Sequence, residues 1–354
     1  MSQDKANINL TNWDIVGVNP NDKNWTWGDM FSFWANNIQS LIGFSLVASL
    51  YLVYDLNVFI VFASCLLSGL LVAIFANLVG TPSQKYGLPF PVILRSSFGV
   101  SGARYIALLR GIVGMFMFGI QTFFISKSIG YLIRILFFYI NDEILDHEIL
   151  LIFLMGMDLI DWFSFVLALM LQFYLFKQGQ KFIKFIINFS AWFVYSGLLI
   201  FIIILSGENS KEIISAFKLS LKTENIISRE NIIALVSITG TLFTYFSIVI
   251  LNIGDFSRYI KNTSENSKGN FSLIINLIIF SFVSVFVVLG ADIVMAKQFL
   301  EVDKLLTNPK DIIGKIDNNY LTVIAIAFIL VASGSTNLIA NYIPTQNTLL
   351  NFFP

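Results

Sequence analysis

Polar residues interrupt an apolar run near the end of the sequence, in the stretch VASGSTNLIANYIP from Val331 to Pro344. On a helix, Ala332, Ser335 and Thr336 share one face, because they stand at positions i, i+3 and i+4. Two hydroxyls and a freed backbone carbonyl are hard oxygen ligands, which suit a small cation such as Na⁺. The alternative is that the hydroxyls only bond back to the preceding turn and bend the helix.

A second polar run, FWANNIQS, lies near the beginning of the sequence and places Asn36, Asn37, Gln39 and Ser40 within five positions. Together with Gly43, these residues cover more than one helix face, so a single neighbouring helix cannot satisfy them all. A helix that breaks here and exposes backbone carbonyls is typical of transporters. Hydrogen bonding between intact helices by Asn and Gln remains the alternative interpretation.

Two further polar positions fall between these runs. Gln121 lies in GMFMFGIQTFF and offers a paired donor and acceptor beside aromatic rings, which suits a planar polar ligand, although one glutamine can also simply join two helices. Gly240 precedes a polar and aromatic segment that contains Tyr245 and Phe246. We therefore predict that this helix, like the first, is interrupted in its middle.

The composition shows what kind of elements must position these residues. The chain has 354 residues, of which 56% are hydrophobic and 12% are charged, whereas a soluble domain carries about a quarter charged residues. A net charge of +0 argues against a nucleic-acid partner. Because a bilayer core needs about 20 apolar residues per helix, the sequence predicts an all-α polytopic membrane protein with eight spans, at Phe31–Val53, Leu56–Val79, Ala103–Leu136, Leu159–Phe176, Phe185–Leu205, Ile232–Leu251, Phe271–Met295 and Leu321–Ile343.

The remaining segments complete this organisation. Residues 1–30 are predicted to form a cytoplasmic N-terminal segment, and residues 31–354 a single transmembrane domain. Ile144–Met157 is predicted to be an interfacial helix. The loops after the second, fourth and sixth spans carry the lysine and arginine excess, which indicates that they and the N-terminus are cytoplasmic, in an inner or plasma membrane.

The sequence offers little for catalysis. It contains a single cysteine, Cys65, inside an apolar run, and a single histidine, His147, in the acidic segment NDEILDHE. A membrane enzyme needs a nucleophile and base, or a metal cluster, near its spans. We therefore predict that the protein is not an enzyme and has no cofactor.

Four segments resemble the nucleobase:cation symporter family, which includes cytosine, uracil, allantoin and hydantoin permeases. They are PSQKYGLPFPVILRSSFGVSGARYIALLR, FGIQT, LNIGDFSRY and STNLIANYIPTQNTLLNFFP, and they stand in the family's order over nearly the whole chain. The resemblance implies a five-plus-five inverted-repeat transporter fold. It also implies uptake of a planar heterocycle, such as a nucleobase, allantoin, a hydantoin or a thiamine-like compound, coupled to Na⁺ or H⁺ by alternating access.

The resemblance also assigns roles to individual residues. Gln121 and Asn341 match the substrate-binding positions of the third and eighth spans. The cation ligands would be the Ala332 carbonyl, Ser335 and Thr336, with further ligands from the first span. There the register can slip by one residue, so Asn36 and Gln39 are candidates for the cation, and Gln39 and Ser40 for the substrate.

Two departures from the family and one geometric conflict qualify these expectations. Met117 replaces a tryptophan that stacks on the ligand in many members, and at the corresponding position of the sixth span Phe246, preceded by Tyr245, replaces another. Members of the family usually continue through about four more spans, so we expect a fold truncated after the eighth of about twelve spans. A separate chain that supplies the missing spans is one alternative, and an inactive fragment is another. On a straight helix, Asn341 would point about 140–180° away from Ser335 and Thr336.

Overall fold

A computed structural model describes residues 15–39, 58–141, 145, 147, 150, 152–207, 209–220, 228–298 and 319–352. Within these residues the regular secondary structure is helical. In chain order the α-helices are α1 (Trp27–Ile38), α2 (Val58–Tyr86), α3 (Phe90–Ile140), α4 (Leu159–Phe176), α5 (Gln180–Ser206), α6 (Ser210–Ser220), α7 (Arg229–Asn252), α8 (Gly254–Ser257), α9 (Thr263–Gln298), α10 (Asn319–Thr336) and α11 (Ile343–Leu350). A π-helical segment, Asn337–Tyr342, joins α10 to α11.

Seven of the described helices are long and apolar enough to cross a membrane, and they match the second to eighth predicted spans. The last of them is a composite, Thr322–Leu350, which runs from α10 through the π-helical segment into α11. The predicted first span begins within α1, which ends at Ile38, and its remaining residues from Ser40 onward lie outside the described part of the chain. The prediction of an all-α polytopic membrane protein is therefore confirmed.

The third span starts earlier than predicted. Helix α3 begins at Phe90, after Pro89, and is 51 residues long. It consists of two helical pieces that meet at a kink at Gly99. Gly99 has φ 68°, a left-handed conformation that glycine adopts without the steric cost of a Cβ atom. The chain can therefore turn at Gly99 and resume its helix, so that most of the expected loop before Ala103 is helical.

Two other predictions of local structure are wrong. Helix α7 runs through Gly240 without interruption, because hydroxyls in its polar middle bond to the helix itself: Thr241 donates to the Ser237 carbonyl at 2.9 Å and Ser247 to the Thr244 carbonyl at 2.6 Å. The chain breaks only after Asn252, at α8.

The predicted interfacial helix Ile144–Met157 is also wrong in its described C-terminal part. Leu154 and Met157 pair there as a tight hairpin. Met155 and Gly156, the two central residues, have φ values of 54° and 79°, which a two-residue hairpin turn requires and a helix excludes.

The helices bury polar groups and expose apolar ones, as expected for a protein in lipid. Helix α2 packs against α7 and α9, and α1 packs against α9 and α5. In this interior the Trp34 indole donates to the Asn270 side chain at 3.2 Å, and Asn270 donates to Asn77 at 3.1 Å. By contrast, Leu66, Leu67 and other large apolar side chains of α2 are exposed.

Candidate functional site

Helix α5 holds helix α1 in place near both of its ends. Near its start, the Asp29 carboxylate receives Lys184 at 3.0 Å and the Asn188 amide at 2.8 Å. Near its end, the Asn36 amide donates to the Ile187 carbonyl at 2.8 Å and accepts from the Ser190 hydroxyl at 2.8 Å. Because the Asn36 side chain is committed to α5, its backbone carbonyl is the group that Asn36 presents to α10.

Four oxygen atoms converge where α1 meets α10. The Thr336 hydroxyl oxygen lies 2.8 Å from the Asn36 carbonyl oxygen and 2.9 Å from the Ala332 carbonyl oxygen. The Ser335 hydroxyl lies 3.1 Å from the same Ala332 oxygen. All three residues of α10 are buried, as is Asn36. The two hydroxyls do bond back to their own helix, but Thr336 also reaches across to α1, which back-bonding alone would not require.

This oxygen cluster has more acceptors than hydrogens. A hydroxyl donates one hydrogen, so Thr336 cannot satisfy both carbonyls at once. Asn36 also lies in the last turn of α1, where the helix dipole places partial negative charge. A small cation bound among these oxygens would neutralise that charge, and neutral oxygens of this kind are the ligands that such a cation prefers.

Behind this cluster lies a second group of buried side chains, which we call the amide relay: Thr122 of α3, Gln172 of α4, and Asn337 and Asn341 of the π-helical segment. Asn337 donates to the Gln172 side-chain oxygen at 2.7 Å, and Asn341 donates to Asn337 at 2.9 Å. Sequence reasoning found only Asn341. Gln172 could have been noticed as a single amide in the otherwise apolar second half of its span, whereas Thr122 gives no such signal.

The two groups lie on opposite sides of the last span. Ser335 and Thr336 are on the side of α1, while Asn337 and Asn341 face α3 and α4. This agrees with the angular separation expected from the sequence. The structure therefore brings the predicted cation ligands Ala332, Ser335, Thr336 and Asn36 together, but it places Asn341 elsewhere.

Of the substrate candidates, Asn341 lines a cavity, and Gln121 is half-buried on α3, one helical turn after the cavity residue Phe118. The cavity has a volume of 470 Å³ and is bounded by α3, α4 and the end of the last span, with Phe118, Phe173, Asn341 and Tyr342 in its wall. The Gln121 side-chain oxygen is buried, and among the described residues it has no hydrogen-bond partner. Met117, one helical turn before Gln121, is 38% exposed.

The remaining candidates lie near the end of α1. The Tyr245 hydroxyl donates to the Asn37 carbonyl, in the last turn of α1, at 3.4 Å. Phe246 is buried and packs edge-on against Trp34, with ring centroids 6.3 Å apart, so its ring belongs to the core. The Gln39 amide donates to the Ala191 carbonyl at 3.4 Å, and Ser40 lies outside the described residues.

Comparison with known proteins identifies the class. The profile of a family described as "permease for cytosine/purines, uracil, thiamine, allantoin" matches residues 17–354. The chain therefore belongs to this family, which consists of permeases rather than enzymes, and the family resemblance inferred from the sequence motifs is confirmed.

Individual relatives agree with this assignment. The purine-uracil permease NCS1 of Arabidopsis thaliana is 26% identical over 347 residues, which cover 98% of this chain and 55% of that protein. The allantoin permease of Bacillus subtilis (strain 168) is 27% identical over 365 residues, which cover 100% of this chain and 69% of that protein. The chain thus spans between about half and two thirds of the length of these relatives.

A solved structure has the same fold. It is that of Mhp1, a nucleobase-cation-symport-1 family transporter, in a closed conformation with bromovinylhydantoin bound. The TM-score is 0.70 at 16% sequence identity, over 98% of this chain and 70% of that one. The predicted transporter fold is therefore confirmed at the level of architecture.

Proposed function

We propose that this protein is a secondary active transporter that couples a Na⁺ or H⁺ gradient to the uptake of a nucleobase or a related planar heterocycle. The observation that carries the proposal is the oxygen cluster, in which one Thr336 hydroxyl stands within 2.9 Å of carbonyls from two different helices. Such a cluster joins the end of α1 to the last span only while those two elements are in contact. A cation that binds there favours the conformation that contains the contact, which is the requirement for coupling.

The proposed substrate follows from the polar groups beside the cavity and from the relatives. Gln121 brings a buried oxygen acceptor that no residue in the described part of the chain satisfies, and Asn341 brings an amide to the cavity wall. Amides read the alternating donors and acceptors of a nucleobase or ureide edge. Phe118 and Tyr342, whose ring centroids lie 6.1 Å apart, supply aromatic surface at the same cavity. Met117 offers no aromatic face, so stacking in this protein is expected to differ from that in relatives with tryptophan there.

The charge of the loops indicates how the protein is oriented in the membrane. Basic residues lie in the last turn of α2 and directly after α4, including Lys85 and Lys177. We place these segments and the N-terminus on the cytoplasmic side of an inner or plasma membrane. Uptake then requires the oxygen cluster to form while the cavity is accessible from the opposite side.

The proposal is tested by measuring binding and uptake on the same preparation. Purified protein is screened for thermal stabilisation by uracil, allantoin, hydantoin and thiamine, each with Na⁺ and with equimolar K⁺. The ligand that stabilises is then radiolabelled and offered to proteoliposomes. A transporter accumulates the ligand above the level in protein-free liposomes. Saturable binding without accumulation would identify a receptor of the same fold instead.

A further inference from the structure

The amide relay has a fixed hydrogen-bond direction, and this direction determines what Asn341 can offer to a ligand. Amide oxygen and nitrogen atoms are usually assigned only from their surroundings. Here the surroundings include two backbone carbonyls, which can accept but never donate. The Gln172 amide lies 3.2 Å from the Ala168 carbonyl, and the Asn337 amide lies 3.3 Å from the Phe118 carbonyl.

These two carbonyls force the nitrogen of each amide toward them. The Thr122 hydroxyl supports the same direction, since it donates its one hydrogen to the Phe118 carbonyl at 2.7 Å and accepts from Gln172 at 3.1 Å and from Asn337 at 3.2 Å. If the relay were reversed, amide oxygens would face carbonyl oxygens at the positions of both Gln172 and Asn337. Buried polar groups do not tolerate such contacts.

The hydrogen-bond direction at Asn337 also fixes the orientation of the Asn341 side-chain amide. Because the Asn337 nitrogen is turned toward α3 and α4, its oxygen faces Asn341 and accepts the Asn341 amide hydrogen at 2.9 Å. The Asn341 oxygen is consequently the atom left for another partner. Gln172, Asn337 and Asn341 are all at least 95% buried, so bulk water does not substitute for these bonds.

We infer that Gln172, Thr122 and Asn337 are positioning residues that hold Asn341 with its oxygen toward the ligand, so that the site selects heterocycles that present a ring N–H there. This inference rests on the proposed function and deepens it, since it specifies which edge of a heterocycle Asn341 reads. A ring nitrogen that carries a methyl group or a lone pair at that point would leave the buried oxygen unpaired.

The test compares the affinities for N–H ligands with those for their N-methylated derivatives. Uracil, allantoin and hydantoin are each measured against the fully N-methylated compound, on wild-type protein and on Asn337→Leu. Wild-type protein is expected to favour the N–H compound by about 5- to 150-fold, the cost of leaving a buried acceptor unpaired. In Asn337→Leu the Asn341 amide is no longer held, and the ratio is expected to fall toward one.

Two further variants separate positioning from folding. Gln172→Met is milder, since it leaves Asn337 and Asn341 in place and removes the bonds of Gln172 to Asn337, Thr122 and Ala168, and it should lower the ratio in the same direction. Thr81→Val is the matched control, because Thr81 bonds only to its own helix at the Asn77 carbonyl, and its ratio should equal that of wild type. A purely structural role of the relay would weaken both ligands of a pair equally.

The outcomes distinguish the two proposals. If wild-type protein binds at least one of the N–H ligands but Asn337→Leu and Gln172→Met keep the wild-type ratio, the positioning inference is overturned and the proposed function stands. If wild-type protein binds none of the three ligands, the proposed substrate class fails, and the inference fails with it.

Discussion

Replacing Thr336 with valine removes one oxygen from the proposed cation site while keeping the shape of the side chain. In the structure this oxygen contacts two carbonyls, at 2.8 and 2.9 Å, and it is the direct link between α10 and the end of α1 in the cluster. A buried contact between a charge and a polar ligand is worth about 1.5–3 kcal/mol. The variant is therefore expected to need a ~10- to 150-fold higher cation concentration for half-maximal substrate binding.

The assay is substrate binding to purified protein as a function of Na⁺ concentration, at constant ionic strength and at two pH values. Thr348→Val serves as the matched control, because Thr348 is equally buried in the same span and bonds only to the Pro344 carbonyl, at 2.7 Å. The control should keep the wild-type cation dependence. The assignment of Thr336 to a cation site is refuted if Thr336→Val shows the same dependence on both Na⁺ and pH as Thr348→Val and wild type.

Three other substitutions have expected outcomes. Gln121→Leu removes a buried oxygen that has no partner among the described residues, so it should raise the melting temperature and weaken heterocycle binding; unchanged affinity would exclude Gln121 from the site. In Gly114→Ala the new Cβ would overlap both the Thr345 hydroxyl and the Arg110 guanidinium, which should destabilise the fold by about 1–3 kcal/mol; the check is partial recovery in the double variant with Thr345→Ala, which relieves the first overlap. Burial raises the pKa of Asp255 from 3.8 to about 6, despite the nearby charges of Arg258 and Arg110. The stabilisation that the protonated Asp255 carboxyl contributes is therefore fully present below about pH 4 and is lost as the pH rises through 6. Asp255→Asn should flatten that part of a plot of melting temperature against pH and be at least as stable at pH 8, and a variant that keeps the wild-type slope would contradict this.

The arrangement of the spans could be predicted from the sequence because lipid imposes a simple rule on it. Any stretch of about 20 apolar residues must satisfy its backbone internally, and α4 accordingly has the predicted bounds Leu159–Phe176. The predicted element bounds were wrong where the backbone conformation of one or two residues determines the local structure. The left-handed Gly99 extends the third span, and the turn at Met155 and Gly156 replaces a predicted helix.

The candidate site was predictable where adjacent residues share one helix face. The spacing of Ala332, Ser335 and Thr336 predicted that they share one helix face. The interruption predicted among Asn36, Asn37, Gln39 and Ser40 agrees, in its described part, with an α1 that ends at Ile38. The amide relay was missed because its members come from three separate segments. Gln172 and Thr122 each resemble an ordinary helix contact until the fold places Asn337 between them.

The central claim, that movement of a cation and of a heterocycle is coupled, is tested most directly by substrate-driven cation flux. Proteoliposomes contain equal cation concentrations on both sides, with ²²Na⁺ or a pH indicator as tracer, and the heterocycle identified by binding is added outside only. Because coupling is reciprocal, we predict that substrate entry carries the cation inward even though no cation gradient is present. Thr336→Val should reduce this cation flux. Entry of substrate without any movement of Na⁺ or H⁺ would contradict the account.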